Sequence, residues 1–466
     1  MSAVAVLDVG KTNVKLSAVD PEGRVLETLV TPNPVRPPPP WRHHDLAAVE
    51  DWALDALASL GRRHATGAIV ACGHGSGGVL VDAHGPVAPM IDYEDTPPAA
   101  VTARYRALAG DFRARGSPVM MGASHLARQM LWVEMALPEA FARAQHVLGL
   151  PQYWAWRFCG VAASEATILG AQSHLWSARD DRAGPIVGAR GWQRLIPPRR
   201  PAWATLGPLR EDLVRRTGLS PATRVLCGAH DSSANFYRYQ AAGLSGFTVI
   251  STGTWIVALS DAADLDALDE ARGMTCNADP SGHPLAGVLT MGGREFAIIA
   301  GAQPPGARTD AALVAALVRR GTLAVPFFAG DDGLLPGRAG RGAIEGPPPA
   351  DAAERRALAT LTVALLTDLL LEALGRTGTV VLDGSFVADP LYPALVAALR
   401  PGTPCLFNLH AYGVAAGAAL LAGHEARRGP APLSLDAPAA LDFPGLADYR
   451  ALWRRHTGAP PPLEHA

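Results

Sequence analysis

Two α/β domains are predicted for this sequence on three observations: its length, a strand–turn–strand unit that occurs twice, and strand–helix alternation in both halves. A chain of 466 residues exceeds what one hydrophobic core organises, so two domains are the default. Ala3 to Leu7 is a continuous apolar run, the mark of a buried strand. After Asp8-Val9-Gly10-Lys11-Thr12 the alternation Val14, Leu16, Ala18 marks a second strand, which makes the glycine segment a hairpin turn. Phe247 to Leu259 repeats this plan, with Gly253 at the place of Gly10, Val257 at Val14, Leu259 at Leu16 and Ser260 at Ser17.

The remaining elements follow in order. The Pro-rich stretch Thr31 to Pro40 is extended, and Asp45 caps a helix running to Leu60. Ala68 to Cys72 is a strand, followed by the loop Gly73-His74-Gly75-Ser76-Gly77-Gly78 and a further strand at Val79 to Val81; helical patterns dominate from Ser124 to about Phe158. In the second half, Leu361 to Leu374 is a helix, Thr379 to Leu382 a strand, Pro390 to Leu399 a helix, Pro404 to Leu409 a strand and Val414 to Ala422 a helix of small residues. Such alternation makes a largely parallel sheet. From Arg427 the chain is rich in proline and is expected to wrap the surface.

Composition excludes several classes of function. The 41 basic and 43 acidic residues nearly cancel, so nothing electrostatic favours nucleic acid or an anionic membrane as partner. No stretch approaches the ~20 uninterrupted apolar residues of a membrane span, and Asp8 comes too early for a signal peptide. Five scattered cysteines with no Cys-x-x-Cys pair point to a reducing compartment, and the chain is expected to be cytoplasmic. Among the 41 basic residues only Lys11 and Lys15 are lysines, and both lie in the first hairpin. Lysine is a compact point charge and arginine a planar fork, so a close phosphate contact need not tolerate the exchange; chance clustering remains the other reading.

Gly10-Lys11-Thr12 has the end of a Walker A loop, but Ala5 stands where the first glycine belongs and a strand follows where a helix is needed. What remains is a turn whose amides can form an anion nest, with Asp8 placed to hold magnesium directly or through water. Ser251-Thr252-Gly253-Thr254 offers a second such turn, rich in hydroxyls. In Leu226-Cys227-Gly228-Ala229-His230-Asp231-Ser232, a strand ends, turns and gives way to a helix. Asp231 there is either a helix cap or a general base at the C-terminal end of a strand. A helix N-terminus favours the ionised carboxylate, which weakens a base; phosphoryl transfer, with its loose transition state, needs only an aligned proton acceptor.

Taken together, Asp8 to Asn13, Gly228 to Asp231 and Ser251 to Trp255 resemble the FGGY carbohydrate kinases, closest on the sugar side to the rhamnulokinase and fuculokinase group, over about residues 1 to 425. The resemblance implies two actin-like (ribonuclease H-like) ATPase domains flanking a catalytic cleft: residues 1–243 for the sugar, residues 244–426 for ATP, and a tail at 427–466. It implies ATP and Mg2+, transfer of the γ-phosphoryl group to a sugar hydroxyl, and Asp231 as base. Under it, Gly10, Lys11, Thr12, Asn13, Gly253, Thr254, Gly384, Ser385 and Gly417 bind ATP, Asp8 the metal, and His74, Gly75, His230 and Asp231 the sugar; His74 reads equally well as structural. A homodimer is compatible with it. Two segments depart from the family's pattern: Leu382-Asp383-Gly384 lacks the usual glycine cluster, and the sugar loop Ile91-Asp92-Tyr93-Glu94-Asp95 lacks its arginine. The rivals are another acceptor (polyol, ketopentose, 6-deoxyketohexose or non-sugar alcohol), a ribonuclease H-like nuclease, and an actin- or Hsp70-like regulated ATPase.

Overall fold

The computed structural model describes residues 2–330, 333–409 and 412–460. Two compact units emerge, each discontinuous in sequence. The first comprises residues up to Leu244 together with Cys276–Pro284 and Tyr412–Leu433; the second comprises Ser245–Thr275, Leu285–Ala411 and the chain from Ser434.

The first unit is built on a mixed sheet. Its strands are β1 (Ala3–Val9), β2 (Asn13–Val19), β3 (Val25–Pro32), β4 (Thr66–Gly73), β5 (Thr205–Pro208) and β6 (Arg224–Leu226), in the order β5-β6-β4-β1-β2-β3. A short β7 (Ala229–His230) also pairs with β4. The meander β1-β2-β3 is antiparallel, whereas β4 runs parallel to β1 and β6 parallel to β4. Helix α1 (Leu46–Gly61) packs an apolar face with Leu54, Leu57 and Leu60 on this sheet, and the Asp45 side chain caps it by accepting the Ala48 N–H at 3.0 Å.

The second unit repeats that order. Strands β8 (Phe247–Thr252), β9 (Ile256–Ser260), β10 (Pro284–Thr290), β11 (Thr379–Gly384) and β12 (Cys405–Phe407) lie as β10-β9-β8-β11-β12, with the same pattern of antiparallel meander and parallel partners. The two-domain α/β plan is therefore a duplicated one. One difference was invisible in the aligned sequence. Val9 faces Val14 across the first hairpin but Thr252 faces Ile256 across the second, so the second turn is one residue tighter.

Two further expectations need correction. The helical stretch beginning near Ser124 is broken by a strand at His146–Gly149, which pairs with Gly78–Val81 in a sheet of its own. The C-terminal stretch does more than wrap the surface: a helix at Leu446–Thr457 buries Leu446, Tyr449 and Trp453 in the second unit's core. The 23-residue helix Ala352–Leu374 has the length and hydropathy to cross a membrane, but 94% of its most apolar window is buried inside the protein. From Ala357 on it is buried on all sides, a helix surrounded by protein with the other core elements packed around it.

Candidate active site

Strand register brings the first unit's chemistry together. Val9 on β1 pairs with Gly73 on β4, and Gly73 pairs with His230 on β7. Three neighbouring parallel strands thus end level with one another. Asp8 sits one residue before that edge, and His74 and Asp231 one residue beyond it. Open α/β sheets place ligands at the C-terminal ends of their parallel strands.

Asp231 is the first residue of the helix Asp231–Ala241, and His230 occupies the cap position without a side-chain cap bond. The cap role read from sequence therefore shifts by one residue. The Asp231 carboxylate instead stays local: Oδ1 accepts the Ser232 N–H at 2.5 Å and the Ser232 hydroxyl at 3.1 Å, and lies 3.2 Å from His230 Nε2. Among the described residues Oδ2 has no such contact, and the side chain is 27% exposed. One oxygen is anchored and the other is open. Gly228 makes the turn before it: its φ is +81°, and a Cβ would lie 2.2 Å from the Ala71 carbonyl oxygen, so only glycine fits.

Asp8 faces Asp231 electrostatically. Burial pushes its carboxyl up to about 7, the Lys15 charge pulls it back and Asp231 pushes it further up. A raised carboxyl favours the fold fully below the unfolded value of 3.8 and loses that contribution as pH rises through about 7. Asp8→Asn should accordingly raise the melting temperature of the ligand-free protein at pH 8 and leave it unchanged at pH 4. Equal shifts at both values would remove the burial argument. A carboxylate so enclosed, only partly offset by Lys15, suits a bound cation. Among the described residues no group of three or more His, Cys, Asp or Glu side chains is placed to hold a metal, but Mg2+ bound with phosphates needs only one or two carboxylates.

His74 has both ring nitrogens buried without a hydrogen-bond partner among the described residues, and burial pushes its imidazole down to about 3. His44, from the polar cluster His43-His44-Asp45 that the sequence places near the sugar side, lies 6.3 Å away between ring centroids, and its Nε2 is likewise unpartnered. Tyr93 packs edge-on against His74 at 5.2 Å. Gly75 is fixed by crowding, since a Cβ would stand 2.3 Å from Ala171 Cβ and 3.3 Å from the His230 ring.

Lys11 does not point from its turn into open space. Its Nζ hydrogen-bonds the Asp92 carboxylate, lies 3.8 Å from Glu94 and sits 5.0 Å from the centre of the Tyr93 ring. Arg42 meets the other Asp92 oxygen at 2.8 Å. The loop Ile91 to Asp95, which lacks the expected arginine, is therefore supplied with two cations from elsewhere in the chain. Asn33, also missed from sequence, ties the first turn down: its side chain donates to the Gly10 carbonyl and its N–H to that of Thr12, each at 2.8 Å. Thr12 and Asn13 are left exposed.

In the second unit, Gly253 N–H closes its turn on the Trp255 carbonyl at 2.8 Å, and Thr254 is exposed. Gly384 at the end of β11 has φ +97° and approaches Thr252 so closely that a Cβ would lie 2.1 Å from its carbonyl oxygen. Ser385 beside it is exposed. Gly417 belongs to the first unit. It lies in the helix Gly413–Leu421, where a Cβ would lie 1.8 Å from the Ala234 carbonyl oxygen, and it permits close packing on the helix that Asp231 begins.

Comparison with known proteins identifies the family. Residues 3–236 match the FGGY family of carbohydrate kinases, N-terminal domain, and residues 245–430 match the carbohydrate kinase FGGY, C-terminal domain. The L-fuculokinase of Salmonella typhi is 27% identical over 296 residues, 59% of this chain, and that of Escherichia coli (strain K12) is 26% identical over 297. The chain spans 60% of the length of these curated relatives. A carbohydrate kinase from Novosphingobium aromaticivorans superposes with a TM-score of 0.83 at 32% identity, covering 98% of this chain and 99% of that one. A xylulose kinase from Lactobacillus acidophilus, at 16% identity, shares the fold with a TM-score of 0.79 over 98% of this chain and 96% of its own. The chain belongs to the FGGY family of carbohydrate kinases.

Proposed function

We propose that the chain transfers the γ-phosphoryl group of ATP to a hydroxyl of a small sugar, a 6-deoxyketohexose such as L-fuculose or L-rhamnulose or a ketopentose, with Asp231 as proton acceptor. The observation that carries this reading is the divided Asp231 carboxylate, one oxygen held by Ser232 and His230 and the other open at the strand ends. The hydroxyl oxygen forms its bond to the γ-phosphorus, the bond from phosphorus to the ADP oxygen breaks, and the hydroxyl proton passes to Oδ2. The neutral imidazoles of His74 and His44 suit sugar hydroxyls: His74 can donate at one nitrogen and accept at the other, and His44, whose Nδ1 donates to the Asn33 side-chain oxygen at 3.3 Å, offers Nε2 as an acceptor. The exposed residues Thr12, Asn13 and Thr254 present their turns to phosphate oxygens, while the Gly10 and Gly253 N–H groups close those turns on the Asn13 and Trp255 carbonyls; Gly384 and Ser385 serve the adenosine side. Mg2+ bound with ATP would be held by Asp8 and would offset negative charge on the phosphates. The family names of the relatives, L-fuculokinase among them, support the acceptor class. ADP release measured with and without a panel of ketoses and polyols tests the whole reading; full-rate hydrolysis independent of sugar would replace it with that of a regulated ATPase.

Lys11 is assigned to the acceptor side, given its contact with Asp92 beneath Tyr93. A planar guanidinium cannot take the place of that enclosed point charge. Lys11→Arg is expected to raise the sugar KM several-fold, on the order of 1 kcal/mol for a disturbed buried charge contact, with the ATP KM unmoved. A change confined to the ATP KM would return Lys11 to the phosphates.

A further inference from the structure

We infer that Glu165 and Thr167 are positioning residues for the proposed base: the Thr167 hydroxyl, itself held by Glu165, fixes the His230 backbone and so orients Asp231. This rests on the reading of Asp231 as proton acceptor. Glu165 caps the five-residue helix Ala166–Gly170, its Oε2 accepting the Thr167 N–H at 2.9 Å and the Ile168 N–H at 3.2 Å. The same oxygen accepts the Thr167 hydroxyl at 2.5 Å. With its proton committed there, Thr167 Oγ1 has lone pairs to offer, and it accepts the His230 N–H at 2.8 Å. His230 then lies 3.2 Å from Asp231 Oδ1 through Nε2 and 3.3 Å from the Ser233 hydroxyl through Nδ1. A continuous buried chain thus runs from Glu165 to the carboxylate.

A buried acid capping a helix is ordinarily structural, and two features argue for more. Serine or threonine caps such a helix without the cost of burying a carboxylate. Here Glu165 is 1% exposed, and its Oε1 is buried with no partner among the described residues. Burial pushes the carboxyl up to about 7 against the pull of its three donors, with Asp279 pushing it further up. The contact with His230 also lies outside the helix altogether, 63 residues along the chain and adjacent to Asp231. Thr167 is fully buried, so water cannot take over if the hydroxyl is removed.

The test compares Thr167→Val, which keeps the shape and removes the hydroxyl, with Thr167→Ser, which keeps the hydroxyl. For the valine variant kcat should fall on the order of 10- to 100-fold, the cost of a small misplacement of a reacting group. Both KM values should stay within about twofold, the signature of an interaction that matters in the transition state rather than in binding. The serine variant should recover most of kcat, and Glu165→Gln, whose amide oxygen can still accept, should lie between. Hydrogen exchange at the His230 amide gives a readout independent of turnover: protection should be lost with valine and kept with serine. Unchanged kcat in the valine variant, a matching rise in both KM values, or unchanged His230 protection would each overturn the inference. Failure of the kinase reading would show separately, as no sugar-dependent ADP release from the unaltered protein.

Discussion

Asp231→Asn should lose on the order of 10²-fold or more in kcat, the usual scale for removing a general base, while ATP affinity stays close to that of the unaltered enzyme. The substitution is informative because of how the carboxylate is held. Asn keeps an oxygen that can accept from the Ser232 N–H and hydroxyl, so the contacts now made by Oδ1 can survive. What disappears is an open Oδ2 able to take a proton. Asp231→Ala would remove the anchor as well and mix disturbance of the helix start with loss of chemistry. The glycine turns at Gly10 and Gly253 lie on other segments and are untouched by the change. Near-normal turnover in the Asn variant would sink the base assignment, and a parallel loss of ATP binding would mean that Asp231 acts on the nucleotide.

The legible part of this protein was the part written in local pattern. Hairpin alternation around Gly10 and Gly253, apolar strands, and the glycine turn before Asp231 each follow from neighbouring residues, and the strands formed where the pattern placed them. Even the duplication was visible, although the one-residue tightening of the second turn depends on pairing partners that an alignment does not contain. The parts missed are long-range. Lys11 reaches Asp92 across 81 residues of sequence, and Arg42 arrives from a third segment, so a loop that appears to lack its cation has two. Likewise, nothing local to Thr167 says that its hydroxyl will meet His230. Asn33 sat inside a proline-rich stretch that reads as a spacer, yet it holds both ends of the first turn. Gly417 is required by a close approach of two helices, a need that no single helix reveals.

Trp453→Ala should destabilise the second unit by about 3–5 kcal/mol, the range for emptying a buried aromatic site. The indole is 1% exposed among the core residues, and its Nε1 donates to the Ala324 carbonyl at 2.8 Å. Tyr449, one helical turn earlier, bonds the Thr322 carbonyl at 2.6 Å, so the C-terminal helix is pinned to one loop–strand segment by two aromatic donors. Its outer side carries charge to the same end. Arg450 pairs with Asp368 at 2.6 Å and Arg454 with Glu372, carboxylates in the last two turns of the helix Ala352–Leu374. Deleting the helix would strip the aromatic seal and both arginines that face Glu372, while Asp368 keeps Arg400 at 3.1 Å; leaving a buried charge unpaired costs about 3–5 kcal/mol in its own right. Against a total stability of roughly 5–15 kcal/mol for a domain, a chain truncated before Leu446 should fail to fold its second unit. Chemical denaturation of Trp453→Ala should show one transition moved to lower denaturant. The same midpoints as the unaltered protein would mean that the C-terminal helix is an appendage after all.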